Sequence, residues 1–288
     1  MATCRYTLLD VFTATPLQGN GLAVVHDADG LDAATMRAFA RETRLSETTF
    51  VQSPTAAGAD YRNRIWTVER ELPFAGHPSL GTAVAVARAA HGPDHAGRCR
   101  YVQETPAGLQ PVDVELDGDR AHASMLQEPP VFGATVDPAA ALAAIGLTPG
   151  DGDPDLPPQV VSTGVPHLMV PLRDRDAAAR ARPDHAAIAR LLAPHDAVVL
   201  YAAACDPAAG RAHARGFAFS AAIGEDPATG SAAGPLCAYL AARTGQQRVV
   251  IDQGVEMGRA SRLHAAMEGD RPRVGGDVVV LVDGTLRL

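Results

Sequence analysis

The sequence predicts an α+β fold of two similar halves, in which each half wraps strands around one central buried helix. Two glycine-bearing motifs carry this prediction, at residues 74–81 (FAGHPSLG) and 225–231 (EDPATGS). Each follows a strand-like run and opens a segment of small apolar residues, and Gly76 and Gly230 are separated by close to half of the 288-residue chain. Free backbone N–H groups at such helix ends bind carboxylates well. We therefore expect both helix ends to face one shared cleft.

Apolar segments with the alternation of half-buried strands predict the sheets of the two halves. They include Tyr6–Phe12, Thr48–Gln52, Arg64–Val68, Val112–Leu116, His167–Leu172, Val198–Tyr201, Val249–Asp252 and Val278–Val282. Close to the C-terminus, Asp283-Gly284 has the composition of a hairpin turn. We therefore expect the chain to reverse its direction there.

Segments with helical patterns fall into two kinds. In Asp32–Arg44 and Pro183–Leu192, apolar residues recur at i, i+3 and i+4, which predicts amphipathic helices that cover a sheet. Pro78–Ala90 and Ser231–Arg243 are apolar on nearly all sides, which predicts buried helices. Pro235 lies inside the second of these and removes a backbone donor. We expect a kink or a late helix start to accommodate it.

The boundary between the halves is predicted from composition. Residues 127–155 carry many Pro, Gly and Ala residues, so we expect the passage from one half to the other in this region. The N-terminal half is then formed by residues 1–125 together with 275–288, and the C-terminal half by residues 126–274.

Composition and charge limit the classes of function. The net charge is −8 and no local Lys/Arg cluster offsets it, which argues against a nucleic-acid partner. No apolar run approaches the length of a membrane span, and the N-terminus lacks a signal-peptide core. The four cysteines form no CxxC pair, and no histidine cluster suggests a metal site, so we expect a cytoplasmic protein with reduced thiols and no metal. Neither motif has the GxGxxG form, which argues against a nicotinamide or flavin cofactor.

Glu47 and His77 are the candidate catalytic residues of the N-terminal half. Glu47 starts an apolar strand, where partial burial raises the pKa of a carboxylate toward the range useful for proton transfer. The alternative is an ordinary carboxylate at a strand edge. His77 precedes Pro78, which suits the first helical position, so we expect the ring at or near the N-cap. A neutral imidazole there donates to a substrate oxygen or relays a proton; the alternative is a capping or core histidine.

Asp226 is the corresponding candidate of the C-terminal half. It precedes Pro227, which predicts an acidic cap before a helix-initiating proline, and pure capping is the alternative to catalysis. Thr229, Gly230 and Ser231 offer backbone N–H groups and hydroxyls to a carboxylate. The motif is not a phosphate loop, because the G-K-[ST] ending is absent.

Four motifs in one order connect the chain to a known family. They are residues 10–13 (DVFT) with 18–20 (QGN), residues 45–50 (LSETTF), residues 71–78 (ELPFAGHP) and residues 224–232 (GEDPATGSA). Asn20, in the first of them, is either a turn residue or a substrate contact. Together the motifs resemble the PhzF-like phenazine-biosynthesis isomerase family, within the diaminopimelate-epimerase-like fold.

The resemblance implies two pseudo-symmetric domains, each a barrel-like, mostly antiparallel sheet around a central buried helix, and often a homodimer. It also implies a cofactor-free active site between the domains, with Glu47 as the catalytic carboxylate and with His77 and Asp226 lining the site. The substrate-binding residues that we predict are Asn20, Gly76, Ser79, Thr229, Gly230 and Ser231. The related epimerases use two cysteines near these helices. The corresponding stretches here contain none, which excludes a two-thiol racemase.

The expected activity is that of a cofactor-independent isomerase, in which Glu47 moves a proton between two carbons on one face of a small unsaturated ring that bears a carboxylate. The pathway would be the biosynthesis of phenazine-like or other antibiotics. The substrate is either dihydro-hydroxyanthranilate or a pyrroline-type amino acid. The alternatives are an epimerase, racemase or lyase that pairs Glu47 with Asp226 or His77, and a non-catalytic member of the family.

Overall fold

The computed structural model describes residues 2–92, 94–219 and 224–288. The chain divides into two compact units, one formed by Met1–Met125 with Gly275–Leu288 and the other by Leu126–Val274. Each unit combines strands with a few helices, and each contains one buried helix. Both units are thus of the predicted α+β class.

In chain order, the described residues form β1 (Thr3–Val11), β2 (Asn20–Val25), α1 (Ala33–Thr43), β3 (Glu47–Gln52), β4 (Tyr61–Trp66), β5 (Glu71–Leu72), α2 (Gly76–His91), β6 (Ala96–Thr105), β7 (Gly108–Asp117), β8 (Arg120–Leu126), β9 (Val131–Thr135), α3 (Pro138–Ala143), β10 (Gln159–Ser162), β11 (Pro166–Leu172), α4 (Arg175–Arg180), α5 (His185–Leu192), β12 (Val199–Asp206), β13 (Arg211–Ala218), β14 (Glu225–Asp226), α6 (Gly230–Thr244), β15 (Arg248–Gln253), β16 (Ser261–Glu268) and β17 (Arg271–Arg287). No helix in this part of the chain is long and apolar enough to cross a membrane.

The two units repeat one order of strand pairings. In the first unit, β2 runs parallel to β3, β3 pairs antiparallel with β4, and β4 pairs antiparallel with the short β5 and parallel with β6. In the second unit, β11, β12, β13, β14 and β15 make the same sequence of contacts. In each unit the buried helix follows the short strand directly. The repetition is therefore one of topology as well as of motif spacing.

The central helices α2 and α6 are buried because their side chains are small and apolar. Every residue from Gly76 to Ala85 in α2 is buried, and so is every residue from Ala232 to Leu240 in α6. Gly81 shows how closely α2 lies on the sheet, since an added Cβ would stand 2.6 Å from Leu22 Cδ2. A larger side chain would separate the helix from β2.

The predicted strands and helices are present, and their ends differ by a few residues. Helix α6 continues through Pro235 and starts at Gly230, so the expected late start is wrong. Helix α5 starts at His185, because Asp184 accepts hydrogen bonds from the backbone N–H groups of Ala186 and Ala187 and caps the helix after Pro183.

Two other expectations are corrected. Asp283-Gly284 is not a hairpin turn, because β1 gives this segment a full-length antiparallel partner, with Thr7 opposite Asp283 and Tyr6 opposite Gly284. Residues 127–155 are not a passage between halves. They contain β9 and α3 and belong to the second unit, where Asp137 caps α3 through the N–H groups of Ala139 and Ala140.

Candidate active site

Three predicted site residues of the first unit lie together. Asn20 begins β2, Glu47 begins β3 and His77 is the second residue of α2. The parallel register places Leu22 beside Glu47, which brings the starts of the two strands to the same end of the sheet. Asn20 Nδ2 lies 3.3 Å from His77 Nδ1, and His77 Nε2 lies 3.5 Å from Glu47 Oε2. The imidazole therefore stands between an amide and a carboxylate.

The His77 imidazole is neutral at ordinary pH. Burial lowers the pKa of His77 to about 3, and the neighbouring Gly21 backbone opposes this shift only in part. When the Asn20 amide donates to Nδ1, the single ring proton is on Nε2 and faces Glu47. The contact with Glu47 is thus no ion pair, and at 3.5 Å it is longer than an ordinary hydrogen bond. The Nε2 atom is itself buried and makes no hydrogen bond of ordinary geometry with the described residues.

Glu47 combines partial burial with access from outside. Its side chain is 17% exposed, so most of it is withdrawn from water while a part remains accessible. A carboxylate held in this way can exchange protons with a substrate. Its role as acid and base stays a prediction.

The tip of α2 is fixed by side chains behind it. Ser79 Oγ donates to the Ala75 carbonyl at 2.7 Å and accepts from Gln103 Nε2 at 2.7 Å, and Gln103 Oε1 accepts from Asn63 Nδ2. The Ser79 hydroxyl is therefore engaged within the protein. Gly76, the first helical residue, contributes a backbone N–H group without an intrahelical partner.

Asp226 does not cap α6, contrary to the expectation from the Asp-Pro pair. It remains in β14, where it is paired with Gly216 of β13, and Pro227 lies in the loop before the helix. Thr229 occupies the N-cap position, and its hydroxyl donates to Asp226 Oδ2 at 2.8 Å. The carboxylate is thus held by a short loop beside the helix start rather than by the helix itself.

A buried glutamine that the sequence reasoning missed holds this loop. Gln253 Oε1 accepts from the Tyr201 hydroxyl at 2.8 Å and from the Thr229 N–H group at 3.0 Å. Its Nε2 donates to the Asp226 carbonyl at 2.8 Å and to Thr229 Oγ1 at 3.0 Å. Gly216 makes room for the network, because a Cβ there would stand 2.6 Å from Thr229 Oγ1. The one available signal was its burial-compatible place at the end of β15, two residues after the apolar run Val249–Ile251.

An arginine–glutamate pair lies at the equivalent place in both units, on the strands just before each buried helix. In the first unit, Arg64 on β4 donates twice to Glu71 on β5, at 2.7 Å in both contacts. In the second unit, Arg215 on β13 donates twice to Glu225 on β14, at 2.8 and 2.7 Å. Two parallel N–H···O bonds fix the geometry of such a pair. Each pair therefore anchors the short strand that leads into a glycine motif.

Replacing Arg215 with Met is expected to lower the free energy of unfolding by about 3 kcal/mol, against about 1 kcal/mol for Arg64→Met. Arg215 also donates to the carbonyls of Ala178 and Ala181, and its side chain is 7% exposed, compared with 18% for Arg64. Loss of the more buried arginine leaves Glu225 without its charge partner in the drier environment. Urea denaturation of both variants measures the difference, and equal losses would contradict the ranking.

Stability is expected to fall as the pH drops below about 6.5. Burial lowers the pKa of His26 to about 4 and those of His77 and His167 to about 3. The unfolded chain, with histidine pKa values near 6.5, therefore binds more protons than the folded chain in this range. Each histidine contributes a slope of about 1.4 kcal/mol per pH unit. Urea denaturation between pH 7 and 4.5 measures how the free energy of unfolding changes with pH. His26→Gln should reduce this slope by the contribution of one histidine. An unchanged slope in His26→Gln would show that His26 is already charged in the folded state.

Comparison with known proteins decides the family. The sequence profile of the family described as Phenazine biosynthesis-like protein (PhzC-PhzF) matches residues 9–284. The chain belongs to this family. A relative from Pseudomonas fluorescens, named trans-2,3-dihydro-3-hydroxyanthranilate isomerase, is 41% identical to this chain over an alignment of 296 positions, which covers 99% of each sequence. The resemblance inferred from the four motifs is confirmed, and the protein is an isomerase.

Solved structures confirm the predicted fold class. A PhzF-family phenazine biosynthesis protein from Bacillus anthracis matches it with a TM-score of 0.87 and 26% identity over 100% of both chains. A hydroxyproline epimerase from Agrobacterium vitis matches with a TM-score of 0.68 and 11% identity, covering 99% of this chain and 91% of that one. At this low identity the second likeness concerns the fold alone.

Proposed function

We propose that this protein is a cofactor-independent isomerase that moves a proton between two carbons of trans-2,3-dihydro-3-hydroxyanthranilate, in the biosynthesis of a phenazine-like compound. The observation that carries the proposal is the pairing of a partly exposed carboxylate, Glu47, with the neutral imidazole of His77 at the start of a buried helix. The relative that is 41% identical over nearly the whole chain bears the name of this activity, which supports the choice of substrate.

The proposed step is a proton shift with one base. Glu47 takes a proton from a ring carbon, and the electron pair of the broken C–H bond enters the conjugated system that includes the carboxylate-bearing carbon. The resulting carboxylic acid returns the proton to a second carbon on the same face, which moves the double bond and regenerates Glu47 as a carboxylate. Atoms and electrons balance within the ring, and one group serves as both base and acid.

Charge that develops on the substrate is stabilised by groups at the two helix starts. We assign the substrate carboxylate to the backbone N–H groups of Gly76, Gly230 and Ser231, because unpaired N–H groups at a helix N-terminus favour anions. The Nε2–H group of His77 donates to a ring oxygen or to the developing charge. Asp226 accepts from the amino or hydroxyl group of the ring and orients it.

The remaining predicted residues act beside these. Asn20 lies 3.3 Å from His77 Nδ1 through its side-chain amide and is expected to border the substrate. Thr229 holds the Asp226 carboxylate through its hydroxyl, and it occupies the N-cap position of α6 beside the proposed carboxylate site. Ser79 supports the tip of α2 from behind rather than contacting the substrate with its hydroxyl.

The test is a reaction of the purified protein with trans-2,3-dihydro-3-hydroxyanthranilate in D₂O, followed by NMR. We expect a product of the same composition with a shifted double bond, in which part of the removed hydrogen appears on the second carbon during the first turnover. A single carboxylic acid can return its proton before exchange with solvent, whereas separate acid and base groups deliver deuterium only.

The same assay distinguishes the alternatives. Deuterium at one carbon with inversion of its configuration would establish an epimerase instead. Parallel reactions with trans-4-hydroxy-L-proline and 1-pyrroline-2-carboxylate test an epimerase substrate and a pyrroline-type substrate, respectively. Failure to consume the anthranilate derivative, together with turnover of either rival, would overturn the proposed substrate.

A further inference from the structure

One backbone hydrogen bond of the first turn of α6 cannot form, because the helix contains a proline. Pro235 has no N–H group, so the carbonyl of Ser231, four residues earlier, cannot receive its usual i+4 partner. The carbonyl of Gly230 is held from outside the helix, by Gln127 Nε2 at 2.9 Å. Gln127 is itself fixed by the Thr163 hydroxyl, which donates to Gln127 Oε1 at 2.6 Å. The Gly230 carbonyl therefore already accepts a hydrogen bond from a side chain outside the helix.

Gly234 keeps Gln127 in contact with the helix. A Cβ at this position would overlap Gln127 Oε1 and would stand 2.8 Å from its Cδ. The glycine sits within a helix, where alanine is favoured by about 1 kcal/mol. The lack of a side chain at Gly234 thus allows Gln127 to approach the helix.

A buried histidine stands beside the other carbonyl. His167 on β11 is fully buried, and neither ring nitrogen makes a hydrogen bond of ordinary geometry with the described residues. The backbone of Ser231 lies next to this ring and raises its pKa, as a carbonyl acceptor does, against the larger lowering by burial. The ring is therefore neutral and carries one N–H group. The donor on this ring and the acceptor that Pro235 leaves on Ser231 are therefore neighbours.

We infer that His167 and Gln127 are positioning residues that hold the first turn of α6 by the carbonyls of Ser231 and Gly230, with His167 taking the place of the helical hydrogen bond lost at Pro235. The consequence for catalysis rests on the proposed function, in which the N–H groups of Gly230 and Ser231 bind the substrate carboxylate. The Gly230 carbonyl and the Ser231 N–H group belong to one peptide unit, and the Ser231 carbonyl belongs to the next unit of the same turn. Loss of His167 therefore shifts the anion-binding geometry without touching Glu47.

The experiment is a double-mutant cycle between His167 and Pro235. His167→Leu is expected to raise KM for trans-2,3-dihydro-3-hydroxyanthranilate about tenfold with kcat within about twofold, as for loss of one buried hydrogen bond. Pro235→Ala restores an N–H group to Ser231, so His167→Leu in that background should raise KM by no more than about twofold. His167→Gln, which keeps a side-chain N–H group, should recover most of the loss.

Amide hydrogen exchange provides a readout independent of activity. His167→Leu should speed exchange in the first turn of α6 about tenfold, and Pro235→Ala should cancel the change. Pro194→Ala, at an exposed proline, is the matched control and should leave the effect of His167→Leu intact. Equal effects of His167→Leu with and without Pro235 would overturn the inference. Coupled exchange with an unchanged KM would sustain the role of His167 in the helix and overturn the proposed carboxylate site.

Discussion

Glu47→Gln is expected to lower kcat by about 10³-fold or more while KM changes by no more than about threefold. Glutamine keeps the size of the side chain and its hydrogen-bonding oxygen, but it cannot take a proton from carbon. Because Glu47 is proposed to serve as base and then as acid, both halves of the proton shift are lost together. The binding groups at the helix starts are untouched, so affinity for the substrate remains.

Steady-state rates by NMR or absorbance, with thermal unfolding as a check of the fold, measure this effect. The matched control is Glu42→Gln on the exposed face of α1, which should retain full activity. Exchange of the substrate C–H hydrogen with D₂O should also disappear in Glu47→Gln. A variant with normal kcat would remove Glu47 from the mechanism, and retained exchange without product formation would restrict it to the second, acidic step.

Asp226→Asn is expected to lower kcat/KM about 10²-fold with little change in stability. The amide oxygen of asparagine still accepts from the Thr229 hydroxyl, so the loop before α6 keeps its shape. The backbone carbonyl of residue 226 also keeps its bond from Gln253. What is lost is the negative charge, which we propose accepts a hydrogen bond from the ring and orients it for Glu47. A charge-assisted hydrogen bond is worth about 1.5–3 kcal/mol, which corresponds to about 10- to 100-fold.

The Asp226 prediction is checked by the split between kcat and KM and by urea denaturation. Asp270→Asn, in an exposed turn of the same unit, is the control for the change in net charge. Loss of stability with normal kinetics would assign Asp226 to the loop alone. A loss of activity that matches Glu47→Gln, together with incorporation of deuterium from the opposite face, would instead assign Asp226 as a second acid.

The architecture was predictable because its signals are local. The small apolar residues after each glycine motif specify a helix that can only be buried, and the flanking alternation specifies strands. Capping rules were less successful at the two X-Pro pairs. Pro78 is the third residue of α2 and Pro227 precedes α6 by three residues, so neither proline starts its helix. The preference of proline for the first turn of a helix indicates the region in which the helix begins, but not the residue at which it begins.

The residues that hold the candidate site were not predictable, because their partners are distant in sequence. Gln253 bonds to Tyr201 across 52 positions, and Gln127 reaches Gly230 across 103. A lone glutamine has no periodicity and no motif. Asp283-Gly284 was misread for a related reason, since its extended conformation depends on pairing with β1 at the opposite end of the chain. Tertiary pairing overrode the local turn composition.

The repeated order of pairings has a consequence for the history of the enzyme. Tandem duplication of one ancestral half, followed by divergence at corresponding places, would leave this order. The first residue of β3 is Glu47, whereas the first residue of β12 is Val199; the second residue of α2 is His77, whereas that of α6 is Ser231. The ancestral symmetry survives in the scaffold but not in the reactive groups. The second copy has no ionisable residue at these two positions, which agrees with the proposed transfer of a proton on one face by a single group.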